Sequence, residues 1–302
     1  MGYKLRLAIG LVLVLGGWPG PSRADVSMHG WYYPFPFTLD SPTSPHRFGG
    51  VEIGLSVADA GYALAFPFET ALTDAKNRFI IDMELPVAIG IGTIGSTDAD
   101  FYVGGPTVGM RGNWRFRFPF AGGYKLPAAV ATGIELDIPL QGIWKNNNGS
   151  LLGYPAFLHD PTSWLVAFTY RPVVQFAIGK PMVFLELELA LPNVITLGGQ
   201  YHLLVQWGAA LGSQPHELVS ITLEFGGLHD TTGQLFPGDA GGLWGALGAR
   251  LYLDGLQLGL AVRVPFTQAY RFTAIDGSKT EYDPLVNFVF FVGFEQRHHQ
   301  PF

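Results

Sequence analysis

Between Thr107 and Phe118 the chain alternates, with a period of two residues, between side chains suited to opposite surroundings. Val108, Met110, Gly112, Trp114, Phe116 and Phe118 fall on one side of an extended ribbon. Gly109, Arg111, Asn113, Arg115 and Arg117 fall on the other, because successive side chains of a strand point to opposite faces. A ribbon with aromatics on one side and arginines on the other separates two different solvents.

The same alternation returns along the chain. In Leu126 to Leu140 it sets Val130, Thr132, Ile134, Leu136 and Ile138 against Gly133, Glu135 and Asp137. In Met182 to Leu191 it sets Val183, Leu185, Leu187 and Leu189 against Glu186 and Glu188, and in Leu256 to Phe266 the face opposite the leucines and valines carries Gln257 and Arg263. Segments of this kind lie near residues 50–58, 61–70, 78–88, 107–118, 125–139, 163–178, 182–191, 196–209, 217–226, 242–253, 256–266 and 285–295, about twelve strands. The even-numbered connections are short, ending with Asp254-Gly255, a hairpin signal. Four of the odd-numbered ones, near 89–106, 140–162, 227–241 and 267–284, are long. Short turns on one rim and long loops on the other are the pattern of a bacterial outer-membrane barrel, with the short turns periplasmic.

No apolar run after the N-terminus approaches the roughly 20 residues of a membrane-spanning helix. Only 14% of the residues are charged, against about a quarter in an ordinary soluble domain. The reading is therefore an all-β chain that forms a closed antiparallel up-and-down transmembrane barrel. Closure follows from hydrocarbon offering no partner to an exposed strand edge. A periplasmic sandwich or lipocalin-like barrel accounts for the alternation equally well, but its strands are shorter, about five or six residues.

At the N-terminus Lys4 and Arg6 precede the apolar run Leu7 to Leu15, then breakers, then Ser22-Arg23-Ala24, the layout of a secretory signal peptide. The expected organisation is a signal peptide over 1–24, a leader over 25–48 and a barrel over 49–302. The leader contains Trp31-Tyr32-Tyr33-Pro34-Phe35-Pro36-Phe37 and either plugs the lumen or tethers the barrel. Removing the signal takes away Lys4, Arg6 and Arg23 and no acid, moving the formal charge from −6 to about −9. Such a chain lacks the basic clusters of a nucleic-acid binder. The absence of Cys rules out disulfides and thiolate chemistry.

The last strand reads Asn287-Phe288-Val289-Phe290-Phe291-Val292-Gly293-Phe294, and Phe302 ends the chain. It looks like the aromatic-ended strand that outer-membrane proteins present to their insertion machinery, with either Phe294 or Phe302 as the terminal aromatic. Tyr102-Val103-Gly104-Gly105-Pro106-Thr107-Val108-Gly109, with Leu126-Pro127-Ala128-Ala129-Val130-Ala131-Thr132-Gly133-Ile134-Glu135-Leu136-Asp137-Ile138-Pro139, resembles the outer-membrane family described as MetA-pathway of phenol degradation proteins. Gly105 stands where that family has Asp. The resemblance covers about a third of the chain and implies a barrel that admits small hydrophobic or aromatic molecules.

Lumen-lining candidates are Arg111, Arg115, Arg117, Glu135, Asp137, Glu186, Glu188, His202 and Arg263. On this reading the arginines of one strand face Glu135 and Asp137 of the next, and facing rows of opposite charge either select solutes or cross-link strands and fill the lumen. Trp114, Trp164, Trp207, Trp244 and Tyr252 are candidates for interfacial aromatic girdles. The histidines lack metal-site spacing. Ser220 and His202 could meet on adjacent strands as part of a lipase-like site, a coincidence more easily ascribed to chance. Asp98, Asp100, Asp230 and Asp239, placed in long loops, could take divalent cations that bridge lipopolysaccharide.

The expected function is passive passage or binding of small molecules without a cofactor or catalysis. The alternatives are a structural barrel with a filled lumen, serving envelope integrity or a partner, and, less favoured, a lipid-modifying enzyme. Expected partners are outer-membrane lipid and lipopolysaccharide, the barrel-insertion machinery and a small-molecule solute.

Overall fold

The computed structural model describes residues 47–58, 61–65, 68–73, 78–85, 87–91, 100–103, 105–139, 167–180, 182–196, 199–216, 218–232, 242–253, 256–266, 270–273, 279–282 and 284–296. The signal peptide, the aromatic leader, Trp164, Asp98, Asp239 and Phe302 lie outside these residues.

In chain order the strands are β1 (Arg47–Ala58), β2 (Gly61–Ala65), β3 (Phe68–Thr73), β4 (Phe79–Leu85), β5 (Val87–Ile91), β6 (Asp100–Val103), β7 (Thr107–Pro119), β8 (Lys125–Asp137), β9 (Ala167–Lys180), β10 (Val183–Ala190), β11 (Asn193–Thr196), β12 (Tyr201–His216), β13 (Val219–Asp230), β14 (Gly242–Leu253), β15 (Leu256–Pro265), β16 (Tyr270–Thr273), β17 (Lys279–Tyr282) and β18 (Pro284–Gln296). All except β16 and β17 belong to a single 16-stranded antiparallel sheet, and those two form a separate hairpin. β2 with β3, β4 with β5, β6 with β7 and β10 with β11 are successive pieces of single staves, since each pair shares its neighbours. Among the described residues twelve staves result.

The ladder returns to its start. β18 pairs with β15 on one edge and, from Gln296↔Arg47 to Pro284↔Ala58, with β1 on the other. A ring of consecutive antiparallel neighbours leaves no sheet edge along the circumference, which satisfies the backbone without help from solvent.

The faces are inverted relative to a soluble barrel. Trp114 and Leu260 are each 58% exposed, and Phe116, Leu187, Leu223, Phe225 and Phe290 also point outward into the surroundings. Glu186 is 1% and Glu224 0% exposed, with Arg111, Arg171, Gln175, Glu188, Gln206, Arg250 and Arg263 buried beside them. Burial of so many ionisable groups is tolerable only where they hydrogen-bond one another. The outward face has the chemistry of a surface made for hydrocarbon.

Small residues make room inside. A Cβ at Gly109 would collide with the carboxylate of Asp82 on the neighbouring stave, and one at Gly226 would enter the indole of Trp244. Both glycines are register partners of the residues they accommodate.

Several boundaries depart from the sequence expectation. The eighth stave begins at Tyr201 rather than 196 and continues to His216 through residues read as a turn. Its partner stave resumes after Pro192 as β11, because the Pro192 carbonyl still accepts from Leu204 N at 2.8 Å and carries the ladder past the break. Within the segment read as a long loop near 267–284, β16 and β17 pair from Tyr270↔Tyr282 to Thr273↔Lys279. Asp100 and Asp230, expected in loops, are strand residues at the start of β6 and the end of β13.

Candidate functional site

The inner wall of β4, β7, β8, β9, β10 and β12 carries one continuous chain of polar contacts. Asp82 accepts from Arg111 Nη2 at 2.8 Å, and Arg111 Nη1 donates to Gln175 Oε1 at 3.1 Å. Gln175 Nε2 donates to Glu188 Oε2 at 3.2 Å, and Gln206 Nε2 donates to the other Glu188 oxygen at 3.3 Å. Arg171 then reaches back, donating to Gln206 Oε1 at 3.3 Å and pairing with Glu135. Alternation puts these side chains inward, and the antiparallel register puts several directly opposite one another, as in Glu135↔Arg171 and Gln175↔Glu188. The carboxylate of Glu188 thereby receives an amide donor on each oxygen, which offsets part of its desolvation.

The opposite wall is built differently. The Arg250 guanidinium lies 4.5 Å from the Phe291 ring centre, and that of Arg263 lies 4.4 Å from a ring of Trp244. Stacking a weakly hydrated guanidinium on an aromatic face helps to offset the burial of its charge, and Arg250 Nη1 also lies 3.5 Å from Gln257 Oε1. Tyr252 Oη and Ser220 Oγ are 3.1 Å apart on the same side.

These positions correct part of the sequence reading. Trp244 and Tyr252, expected in the girdle, are buried on the inner face, since they share parity along β14 with Arg250 and each finds a polar or cationic partner inside. Trp114 is on the outer face, and Trp207 is half-buried on the outward-facing set with its Nε1 donating to His229 Nε2 at 3.2 Å. The expected facing rows of charge do not meet. Arg115 pairs in register with Ala129 and Arg117 with Pro127, whereas Glu135 is opposite Gly109 and Asp137 opposite Thr107. Arg111 is the one of the three arginines in the ladder; Arg115 is half-buried and Arg117 exposed, toward the end with the short turns. Asp137 accepts from Thr107 Oγ1 at 2.8 Å.

His202 is buried near the far end of β12, 3.1 Å from Thr232 Oγ1. Ser220 pairs with Arg250 at the opposite end of β13. The register thus separates this serine from this histidine, because antiparallel neighbours meet only where their residue numbers sum to a constant. Glu186 and Arg263 are buried on the inner face, with Glu186 opposite Ala177 and Ala210.

Sequence reasoning missed Asp82, Arg171, Gln175, Gln206, Glu224 and Arg250. In β9 the polar set Thr169, Arg171 and Gln175 is interrupted by inward Val173 and Ala177, which dilutes the alternation. The signal available was parity. Arg171 and Gln175 are four apart and therefore on one face.

No protein-family model matches the chain, and no curated protein matches it in sequence. Among solved structures it is similar to the COG4313 outer membrane channel from Pseudomonas putida F1, at 10% identity and a TM-score of 0.52, over 88% of this chain and 98% of that one. It also matches the KdgM porin, at 8% identity and a TM-score of 0.41, over 82% and 99% of the two chains. A third match is the TodX monoaromatic hydrocarbon channel, in a deltaS2 mutant, at 7% identity and a TM-score of 0.37, over 84% and 91%. The first of these matches establishes a shared barrel fold.

Proposed function

We propose that the chain is a bacterial outer-membrane barrel for passive passage or binding of small molecules, with the ladder from Asp82 to Gln206 as the constriction of its lumen. The carrying observation is the inversion of faces. A wall of aliphatic and aromatic side chains is turned outward, and an enclosed interior is lined with guanidinium, carboxylate and amide groups. Ionised side chains that line the inner wall of a lumen order water and discriminate among solutes, and no energy-coupling element is required. The solved barrel with the same fold is itself described as an outer membrane channel, which supports the reading.

On this proposal residues 1–24 are the export signal, 25–48 a leader, and the short-turn end is periplasmic. The outer face meets lipid and lipopolysaccharide, and the aromatic end of β18 serves insertion. The resemblance to the MetA-pathway family gives the finer form, in which the solute is small and hydrophobic or aromatic.

A second reading, a structural barrel with a filled lumen serving envelope integrity or a partner, is favoured by the near-complete burial of Arg171, Glu186 and Glu224. Planar-bilayer recording and liposome swelling on refolded protein separate the two. A constriction at the ladder predicts a small conductance that rises when Gln175→Gly and Gln206→Gly are combined. Silence of both proteins, with no swelling by small solutes, would assign the filled-lumen role instead.

A further inference from the structure

Two neighbouring rows of inner-face residues cross β4, β7, β8 and β9 where β7 begins and β8 ends. One row is Asp82, Gly109, Glu135 and Arg171, and the next toward the loops is Glu84, Thr107, Asp137 and Thr169. Side chains two apart on a strand share a face, so the register sets four carboxylates around Gly109 and Thr107. Gly109 leaves the centre open, and the Asp82 carboxylate lies over it, in the space a Cβ there would fill.

Part of this cluster is satisfied internally. Arg111 Nη2 donates to Asp82 Oδ1 at 2.8 Å, Arg171 pairs with Glu135 through Oε2, and Thr107 Oγ1 donates to Asp137 Oδ1 at 2.8 Å. Two buried oxygens stand outside this arrangement. Glu135 Oε1 and Thr169 Oγ1 have no hydrogen-bond partner, on residues that are 1% and 0% exposed. They belong to diagonal neighbours on one face, about 7–8 Å apart between Cα atoms. A buried acceptor left unmet costs the full desolvation of that group, so both call for a donor that enters the site.

Charge selects the donor. The two rows, together with Arg111, carry four carboxylates against two guanidiniums, a formal −2, which favours a cation over a neutral donor. The Asp82 side chain is 21% exposed, and by parity it is exposed to the lumen. Among the described residues no three acids or histidines are set to ligate a metal ion. An ammonium group needs no such shell, because it brings three N–H donors of its own.

We propose that these two rows bind the primary ammonium group of a small solute in the lumen, with Asp82 Oδ2, Glu135 Oε1 and Thr169 Oγ1 as its acceptors. The inference rests on the reading of the lumen as a place of passage or binding for small molecules, and it names the class of solute. A set of ion pairs that only ties the staves together leaves both orphaned oxygens unexplained. A proton shared by Asp82 and Glu135 would meet Glu135 Oε1 but not the Thr169 hydroxyl.

The test uses the full-length refolded protein. Equilibrium dialysis of micelle-held protein against radiolabelled butylammonium or tetramethylammonium compares two cations of equal charge, of which only the first has N–H donors. Planar-bilayer conductance and heat-modifiable electrophoretic mobility are recorded on the same preparations. The wild-type protein should retain butylammonium about tenfold or more tightly than tetramethylammonium, the worth of one charge-assisted hydrogen bond. The variant E84Q/D137N, which keeps both arginine pairs, should weaken butylammonium retention by about tenfold or more. T169V, which removes one orphaned oxygen, should narrow the preference for butylammonium several-fold with mobility unchanged. Equal retention of the two cations by a conducting wild-type protein, or a preference and affinity that survive in both variants, overturns this inference alone. Displacement of butylammonium by micromolar calcium overturns it in favour of a metal site. A wild-type protein that neither conducts nor retains either cation overturns the reading of passage or binding together with it.

Discussion

Glu135 on β8 and Arg171 on β9 are direct register partners, and their side chains form a buried ion pair facing the barrel interior. The pair anchors the ladder, because Arg171 also donates to Gln206 two staves further on. Removing one member should therefore be worse than removing both. Arg171→Met or Glu135→Leu alone should lower stability in urea titrations of the refolded barrel by about 3–5 kcal/mol, with the double substitution recovering a large part of it. Additive losses would show that the two charges are solvated independently.

The second prediction concerns room inside the wall. Gly226 and Trp244 are register partners, and the indole occupies the space a Cβ on residue 226 would need. Gly226→Ala should destabilise by about 1–3 kcal/mol through overpacking, and adding Trp244→Leu should recover part of that loss. An alanine at 226 as stable as glycine would mean that the indole lies elsewhere.

How much of this was legible in the sequence follows from what each position demands. Staves whose inward residues are ionised, such as Met182 to Leu191 with Glu186 and Glu188, announce both their strand and its facing. Trp244 and Tyr252 mislead because an aromatic ring satisfies two roles equally, packing against lipid or stacking beneath a buried guanidinium, and composition does not distinguish them. Parity with Arg250 along β14 does. The pairing of Glu135 was out of reach for a different reason. Which charge opposes which depends on register across strands separated in sequence by residues 138–166, and no local pattern specifies it.

The third prediction concerns the arginines at the short-turn end. Arg115 and Arg117 lie beyond the last contact with β4 and outside the ladder, so they set the field at one mouth without narrowing the lumen. Arg115→Glu with Arg117→Glu should shift the reversal potential in a salt gradient toward cation preference while changing single-channel conductance by less than about twofold. A large fall in conductance would place them at the constriction.

The central claim is that the apolar face meets hydrocarbon and the ionised face an enclosed interior. The chain contains no Cys, so single-cysteine variants can be spin-labelled without background. Labels at Leu187→Cys and Leu260→Cys, in protein inserted in vesicles, should collide readily with oxygen and poorly with a water-soluble nickel complex, while a label at Glu186→Cys should be shielded from oxygen. Free access of the nickel complex to positions 187 and 260 would contradict the account.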